Sequence, residues 1–467
     1  MTRVMLVNPH YYDDIFTRSR VRAAILPGTT PLGLLCVAAP LVRDGHPVRI
    51  VDLNVAPSPN ERLAHELSEF KPEVVGITAT TPLIHKAYHI AEQAKRFNPE
   101  TLVIAGGPHA SAMPREVLGE SAIDCAVRGE GDFVLSRIVS EGLSTAIPNL
   151  HFKRDGETVA SPSQDAFVQD IDALPPTPYD LLDIGRYRQP RISSRTSPVG
   201  YYETSRGCFA RCVFCNKNIH GYKVRMKSVA RVVDDMERML KLGFREIQII
   251  DDIFTADMDR ARAVCEEIMR RRLRFPWYPR GGLRVDRVEP GLLRMMRRAG
   301  CYRIPFGIES GSQRVLDVIR KKITLDQARN AVRWAKAAGL QTECYFMLGL
   351  PSETEEDLKR TIEFAIELDP DYAKFATTIP LPGTPMFDSM KAAGRIKTTD
   401  WKKYNFSTSP KELYDHDVLP WQTLERYETA SYRRFYFRSF YVLKTLLKTA
   451  DAGTLMQHAR AFLKTRW

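Results

Sequence analysis

Short apolar runs alternate with stretches whose apolar positions recur at helical spacing, and this alternation continues almost to residue 380. In the first third the runs are Val4-Met-Leu-Val7, Val48-Arg-Ile-Val-Asp52, Val74-Val-Gly-Ile-Thr78, Leu102-Val-Ile-Ala105 and Cys125-Ala-Val127. Helical spacing fills the intervals from Leu32 to Arg43, Glu61 to Phe70 and Leu83 to Phe97. Runs this apolar are expected where both faces of a strand are covered, and strand–helix alternation builds a parallel sheet. Residues 1–140 are therefore predicted to form a Rossmann- or flavodoxin-like α/β domain. Ligands of such sheets sit beyond the carboxyl ends of the strands. Those ends carry Asn8-Pro-His10, Asp52-Leu-Asn54, Thr78 to Pro82 and Gly106-Gly107-Pro108, small and polar enough for close backbone approach to a bulky ligand.

Residues 141–198 read as a connector. Asn149 to Lys153 and Glu157 to Ala160 flank Arg154-Asp-Gly156, which predicts a hairpin through an Asp-Gly turn, and Asp172 to Asp180 is proline-rich and extended. From Val199 the alternation resumes. Strands are expected at Val199–Thr204, Glu246–Ile250, Tyr278–Leu283, Arg303–Ile308, Glu343–Leu348 and Tyr372–Ile379. The intervening helices are Arg231 to Leu242, Asp259 to Arg272, Pro290 to Ala299, Ala328 to Ala338 and Glu355 to Leu368. Six such repeats predict a (β/α)6 partial TIM barrel over residues 199–390, with its chemistry at the carboxyl ends of the strands. Residues 391–467 form a mostly helical C-terminal segment.

Length and charge narrow the classes. The 467 residues leave room for two to four domains, and no apolar run is long enough to span a bilayer. The N-terminus reads as a buried strand and not as a secretory leader, so a cytoplasmic protein is expected. Eight cysteines with three in one tight motif indicate metal binding in a reducing compartment; Cys36, Cys125, Cys265, Cys301 and Cys344 read as core residues. Half of the net charge of +12 lies between Trp421 and Trp467, where nine Lys/Arg face three Asp/Glu. There Tyr427, Tyr432, Phe435, Tyr436, Phe437, Phe440 and Tyr441, then Leu443, Leu446 and Leu447, interleave with Arg433, Arg434, Arg438 and Lys444. A basic aromatic helix of this kind either rests on anionic lipid, caps an apolar substrate or packs on the barrel with its arginines in water. A nucleic-acid partner is not expected.

The chemistry centres on Cys208, Cys212 and Cys215, spaced C-x3-C-x2-C directly after the first barrel strand. Three thiolates so placed can each hold one iron of a cubic 4Fe-4S cluster, leaving the fourth iron open. Three buried structural thiols, or part of a zinc site, are the alternatives; a structural zinc site wants four ligands, and His220 is the one nearby candidate to complete it. Phe214 would set an aromatic face beside the open iron. The pattern resembles the radical S-adenosyl-L-methionine (radical SAM) superfamily, in which that iron chelates SAM. Pro31-Leu-Gly-Leu-Leu35, Asp44-Gly-His46 and Gly129-Glu-Gly131 further resemble the cobalamin-binding domain that precedes many radical SAM domains. The Asp-x-His-x-x-Gly pattern that ligates cobalt from below is absent. His10, His46, His85, His89 and His109 are accordingly read as surface or hydrogen-bonding residues, and cobalamin is expected without a histidine beneath the metal.

The resemblance implies roles for further residues. Asp251 and Asp252 would accept from the SAM ammonium, or simply cap a helix; Arg284 would pair with the SAM carboxylate, or with Asp286. In Phe306-Gly-Ile-Glu-Ser-Gly311, Glu309 would bond the ribose while Ser310 and Gly311 admit the ligand to the backbone. Gly349 and Leu350 would pack on adenine, and Asn8, Thr78, Gly106 and Gly107 would underlie cobalamin. The implied activity is methylation of an unactivated carbon, with electrons from a flavodoxin- or ferredoxin-type donor. Alternatives are an oxidative cyclase or ring-forming enzyme acting on a porphyrin or lipid, a non-catalytic cobalamin sensor, and a methylthio-transferring enzyme on RNA.

Overall fold

The computed structural model describes residues 1–11, 28–119, 121–162, 167–405 and 408–448; the basic residues counted above beyond 448, and the side chains of Leu446 and Leu447, lie outside that description. Strands β1 (Val4–Asn8), β2 (Val48–Asp52), β3 (Val74–Thr78), β4 (Leu102–Gly106) and β5 (Cys125–Val127) pair in parallel in the order β2-β1-β3-β4-β5. The order reverses between β1 and β3, which makes their carboxyl ends the switch point where a ligand is expected. Both faces are covered, as the unbroken apolar runs predicted. Met5 and Val7 point into one core layer, Val4 and Leu6 into the other. The hairpin β6 (Leu150–Arg154) and β7 (Glu157–Ala160) does not stand apart in the connector. It adds antiparallel to β5, through a turn with Asp155 and Gly156 at positive φ.

In the second half, β8 (Val199–Tyr202) is followed by a short antiparallel pair, β9 (Ser205–Arg206) and β10 (Arg225–Met226). Strands β11 (Glu246–Ile249), β12 (Trp277–Pro279), β13 (Arg303–Glu309), β14 (Gln341–Leu348) and β15 (Tyr372–Thr377) complete the barrel. Two parallel ladders, β8-β11-β12 and β13-β14-β15, meet at a seam held by the single bridges Trp277–Cys301 and Leu283–Phe306. Pro279 and Pro305 lie along this seam, and proline has no N–H to give a ladder, so β12 stops short of the predicted Leu283. The result is the six-stranded partial barrel expected from the repeats.

The lumen of the barrel is packed at its floor, where Gln248 and Tyr278 are buried, and opens toward its mouth. On β14 and β15 the outward Phe346 and Phe375 are buried against helices, whereas the inward Tyr345, Met347, Lys374 and Ala376 keep accessible surface. After β15 the chain runs back across the first domain, where Met386, Phe387, Trp401, Tyr404 and Tyr414 join the core layer on one face of its sheet. The helix Trp421–Tyr436 then returns to the barrel: Tyr432 and Tyr436 donate to the carbonyls of Phe375 (2.8 Å) and Ala373 (2.7 Å), and Phe435 is fully buried. Of the three readings of this aromatic helix, packing on the barrel accounts for these residues. Phe437, Phe440 and Leu443 remain exposed. Among the described residues no helix is long and apolar enough to cross a membrane.

Candidate active site

The cysteine motif lies in a loop closed at its base by the β9–β10 pair, where Ser205 faces Met226 and Arg206 faces Arg225. Asp251, at the end of β11, shapes the entry. Its buried carboxylate accepts from Thr204 N (2.6 Å), Thr204 Oγ1 (2.5 Å) and Ser205 Oγ (2.7 Å), and burial raises its pKa against those bonds. The neighbouring Asp252 is exposed and accepts from Gly207 N at 3.0 Å. Gly207 has φ +88° and lies so close to Lys223 that a Cβ would stand 2.2 Å from its carbonyl oxygen; only glycine fits. Cys208 and Cys212 are buried, Cys215 is partly exposed, and all are free thiols. Burial pushes the Cys212 thiol up while Lys321 and Arg284 pull it down; Lys217 opposes burial in the same way at Cys215.

Glu309 is brought to the same place by a deformation. The register of β13 against β14 shifts between Gly307 and Glu309, and Glu309 sits at φ +73°, a conformation rare outside glycine. Its carboxylate is 2.7 Å from Lys321 Nζ, and that ammonium lies 6.0 Å from the Phe214 ring centroid. Arg284 forms a two-pronged pair with Asp286 (2.8 and 3.1 Å), the plainer of its two readings. Ser310 faces the barrel shell, within 3.2 Å of Thr361 Oγ1, and Gly311 is pressed against the helix Glu355–Leu368. Gly349 and Leu350 form a tight turn whose amides both donate to Glu353 Oε2, and Leu350 is fully buried. Cys208, Cys212, Cys215, Phe214, Asp252 and Glu309 thus gather around the loop, while the side chains of Asp251, Ser310 and Leu350 face supporting structure.

In the first domain Asn8 donates to Asp52 (3.0 Å) at the ends of β1 and β2. Thr78, Gly106 and Gly107 line a cavity of about 260 Å³ that also has Leu6, Gly76 and Gly131 in its wall. Gly33 and Gly106 face open space there, so a Cβ at either would intrude on the cavity. Its far wall belongs to the other domain: Glu203, Arg206, His220 and Ile250. A buried ionic network, which the sequence reading did not find, joins the two sides. Arg206 grips Asp132 with two bonds (2.8 and 2.9 Å) and Glu203 with a third (2.6 Å). Glu130 receives Arg225 (2.6 and 2.9 Å) and lies 3.0 Å from His220 Nδ1. Burial would raise the Glu130 pKa, but the bonds from His220 and Arg225 and the charge of Arg206 hold it down to about 2. The one signal of it in the sequence is Gly129-Glu-Gly131, which names Glu130 but not its partners.

The chain thus joins an open α/β sheet, with a glycine-lined cavity beyond its strand ends, to a partial barrel with a three-thiol loop at its mouth. Comparison with known proteins identifies the family. Residues 20–139 match the B12 binding domain and residues 202–365 the radical SAM superfamily. The chain is 33% identical to an uncharacterized methyltransferase of Pyrococcus horikoshii, covering 92% of this chain and 93% of that protein. It is 28% identical to the anaerobic magnesium-protoporphyrin IX monomethyl ester cyclase of Rubrivivax gelatinosus, over 99% of this chain and 82% of the cyclase. Its fold superposes on the cobalamin-dependent S-adenosylmethionine radical enzyme OxsB with TM-score 0.77 at 18% identity, covering 99% of this chain and 71% of OxsB. The chain belongs to the cobalamin-dependent radical SAM enzymes.

The residues present fit those cofactors. His220, the candidate fourth zinc ligand, is engaged with Glu130, and among the described residues no three His, Cys, Asp or Glu side chains converge on a single-ion site. A cubic cluster does not need such convergence, since its thiolates bind irons at separate corners. Three reduced thiols among the cations Lys217, Lys321 and Arg284 suit an anionic cluster. The apolar, glycine-floored cavity suits the bulk of a corrin cofactor's appendage.

Proposed function

We propose that this protein methylates an unactivated carbon of a small molecule, using a 4Fe-4S cluster, SAM and cobalamin. The observation that supports this reading most is the shared cavity wall: the first domain's ligand cleft is closed by residues that flank the cysteines, which sets the two proposed cofactor sites side by side. When bound, the cluster and SAM supply an electron-driven hydrogen abstraction and cobalamin supplies a transferable methyl group. The chain's own residues bind and orient. Cys208, Cys212 and Cys215 hold the cluster, with Lys217 and Lys321 offsetting its charge. Phe214 screens one side, and Asp252 fixes the loop through Gly207. Glu309 and Lys321 present one acceptor and one donor to the polar parts of SAM, and the Gly349–Leu350 turn bounds it. Asn8, Thr78, Gly106 and Gly107 support cobalamin. Asp251, Arg284 and Ser310 act as positioning residues.

The similarity to a methyltransferase over nearly the whole chain favours methylation. The similarity to a tetrapyrrole cyclase keeps oxidative ring formation as the second reading. Reduced thiols and the need for a low-potential electron favour the cytosol and a flavodoxin- or ferredoxin-type donor, and the exposed Phe437, Phe440 and Leu443 favour peripheral contact with lipid. Anaerobic reconstitution with iron, sulfide and hydroxocobalamin, followed by metal analysis and incubation with SAM carrying a deuterated methyl group, tests the reading. Four irons and one cobalt per chain, with deuterium appearing in a product, are expected. Cluster assembly without cobalamin uptake would overturn it.

A further inference from the structure

The barrel lumen holds a guanidinium that no carboxylate among the described residues answers. Arg280 stands at the carboxyl end of β12, half-buried, and its Nη1 donates to Gln248 Oε1 (3.2 Å) and to the Tyr278 hydroxyl (2.7 Å). Its charge lies 5.6 Å from the ring centroid of Tyr201. Tyr201, Gln248 and Tyr278 are in register across β8, β11 and β12, so they form one inward-facing row, and Arg280 lies over it. The carboxylates of the lumen are already taken. Glu343 is 2.6 Å from Lys374 Nζ, and Glu246 accepts from Arg195 N, Thr196 N, Gln248 Nε2 and the Tyr302 hydroxyl. Among the described residues, Nε and Nη2 of Arg280 therefore have no partner. A guanidinium taken partly out of water with neutral partners alone is poorly compensated, and its planar donor edge matches a carboxylate or phosphate.

We infer that Arg280 is an anchoring site for an oxyanion on the substrate, and that the substrate body is flat and conjugated. The body follows from the wall: Tyr201 and Tyr345, both partly exposed, stand beside the cation, while Tyr278 below them is packed against Tyr302. SAM carries the other carboxylate expected in this chamber. The cations acting on the cysteine loop are Lys321, Arg284 and Lys217, whereas Arg280 is bound to Gln248, one residue before the end of β11. The inference rests on the lumen being the reaction chamber of the function proposed above.

Its test is calorimetric titration of the full-length, cofactor-loaded protein with naphthalene-2-carboxylate, 2-naphthyl phosphate and the uncharged naphthalene-2-carboxamide. One of the two anions is expected to bind at least tenfold more tightly than the amide, and the tighter one names the oxyanion. Arg280→Gln should bring the tighter anion and the amide to within twofold while Arg280→Lys keeps part of the preference, with iron content and SAM affinity unchanged in both. The acid-to-amide ratio of the unsubstituted protein does not depend on how the variants fold. Equal binding of the amide and both anions, no binding of any probe at millimolar concentration, or loss of SAM affinity in Arg280→Gln to the same degree as the tighter anion would each overturn the assignment. Iron content and SAM cleavage in the same preparation report separately on the radical SAM reading. A protein that discriminates the probes without cleaving SAM would sink that reading and leave the anchor standing.

Discussion

Replacing Glu353 by glutamine is expected to stabilise the protein at alkaline pH and not at acid pH. Glu353 is fully buried; its Oε2 takes the amides of Gly349 (2.6 Å) and Leu350 (3.1 Å), while Oε1 has no partner. Burial raises the carboxyl from 4.5 to about 8 in spite of those two bonds. Between these values the unfolded chain releases the proton and the folded chain retains it, so stability is full below about pH 4.5 and falls as pH rises toward 8. At 1.36 kcal/mol per pKa unit, the carboxyl costs about 3 kcal/mol more at pH 8 than at pH 5. Glutamine keeps an acceptor for the two amides and never ionises. Its unsatisfied NH2 costs about 1–3 kcal/mol, equally at both pH values. The difference in Tm between variant and parent should therefore move by roughly 6–12 °C in the variant's favour from pH 5 to pH 8, at 2–4 °C per kcal/mol for a domain of this size. Scanning calorimetry at the two pH values and one ionic strength measures it. A Tm difference that stays constant with pH would refute the reasoning, because it would mean that Glu353 is ionised in the fold.

Alanine at Cys208, Cys212 or Cys215 is expected to prevent assembly of a full cluster and production of 5′-deoxyadenosine; a triple variant retaining both would remove the cluster assignment. Glu309→Ala should leave iron content intact and weaken SAM binding five- to a hundred-fold, since losing hydrogen bonds to a buried polar group costs about 1–3 kcal/mol. Unchanged affinity by equilibrium titration would show that Glu309 serves only Lys321. Electron paramagnetic resonance of the cobalt(II) protein should show no nitrogen splitting from a lower histidine: His109 is fully buried against Trp401 and Thr81, and His220, the histidine of the cavity wall, is held by Glu130. A nitrogen triplet that disappears in His220→Ala would contradict this.

The elements were legible because their apolar periodicity is local. Leu32–Arg43 and Glu355–Leu368 fall where the pattern put them, and the free spacing of three cysteines is a property of the chain itself. What the sequence hid is long-range. Nothing in Leu150 to Ala160 states that the hairpin will pair with β5, because its alternation suits any sheet edge. The conformation of Glu309 was equally hidden, since positive φ at a non-glycine follows from a register shift against β14. Ser310 and Gly311 read as ligand contacts because small residues at a strand end suit ligand approach. They also suit close approach of a helix, and here Gly311 meets Phe364 and Arg360. Lys217 and Lys321 drew no notice because a lysine's partner cannot be read from its neighbours in sequence.

The ionic network between the domains makes most sense as a device for alignment. Two cofactors that must act on one substrate gain from being held at fixed distance and angle, and small displacements are costly to rate. Apolar contact alone supplies attraction without direction, so two domains packed only by it can slide. Arg206, from the cysteine loop, grips Asp132 of the first domain with both prongs, and Glu130 of that domain receives Arg225 from the strand that closes the same loop. These side chains are almost fully withdrawn from water, so the network adds little net stability: desolvating the charges offsets most of their attraction. Its geometry, however, is satisfied in one relative placement of loop and sheet. The C-terminal strap reinforces that placement, with Trp401 stacked edge-on against His109 of the first domain and Tyr436 tied to β15 of the barrel. The arrangement fixes the cysteine loop directly to the carboxyl end of β5, beside the glycine-lined cavity, and the barrel follows it.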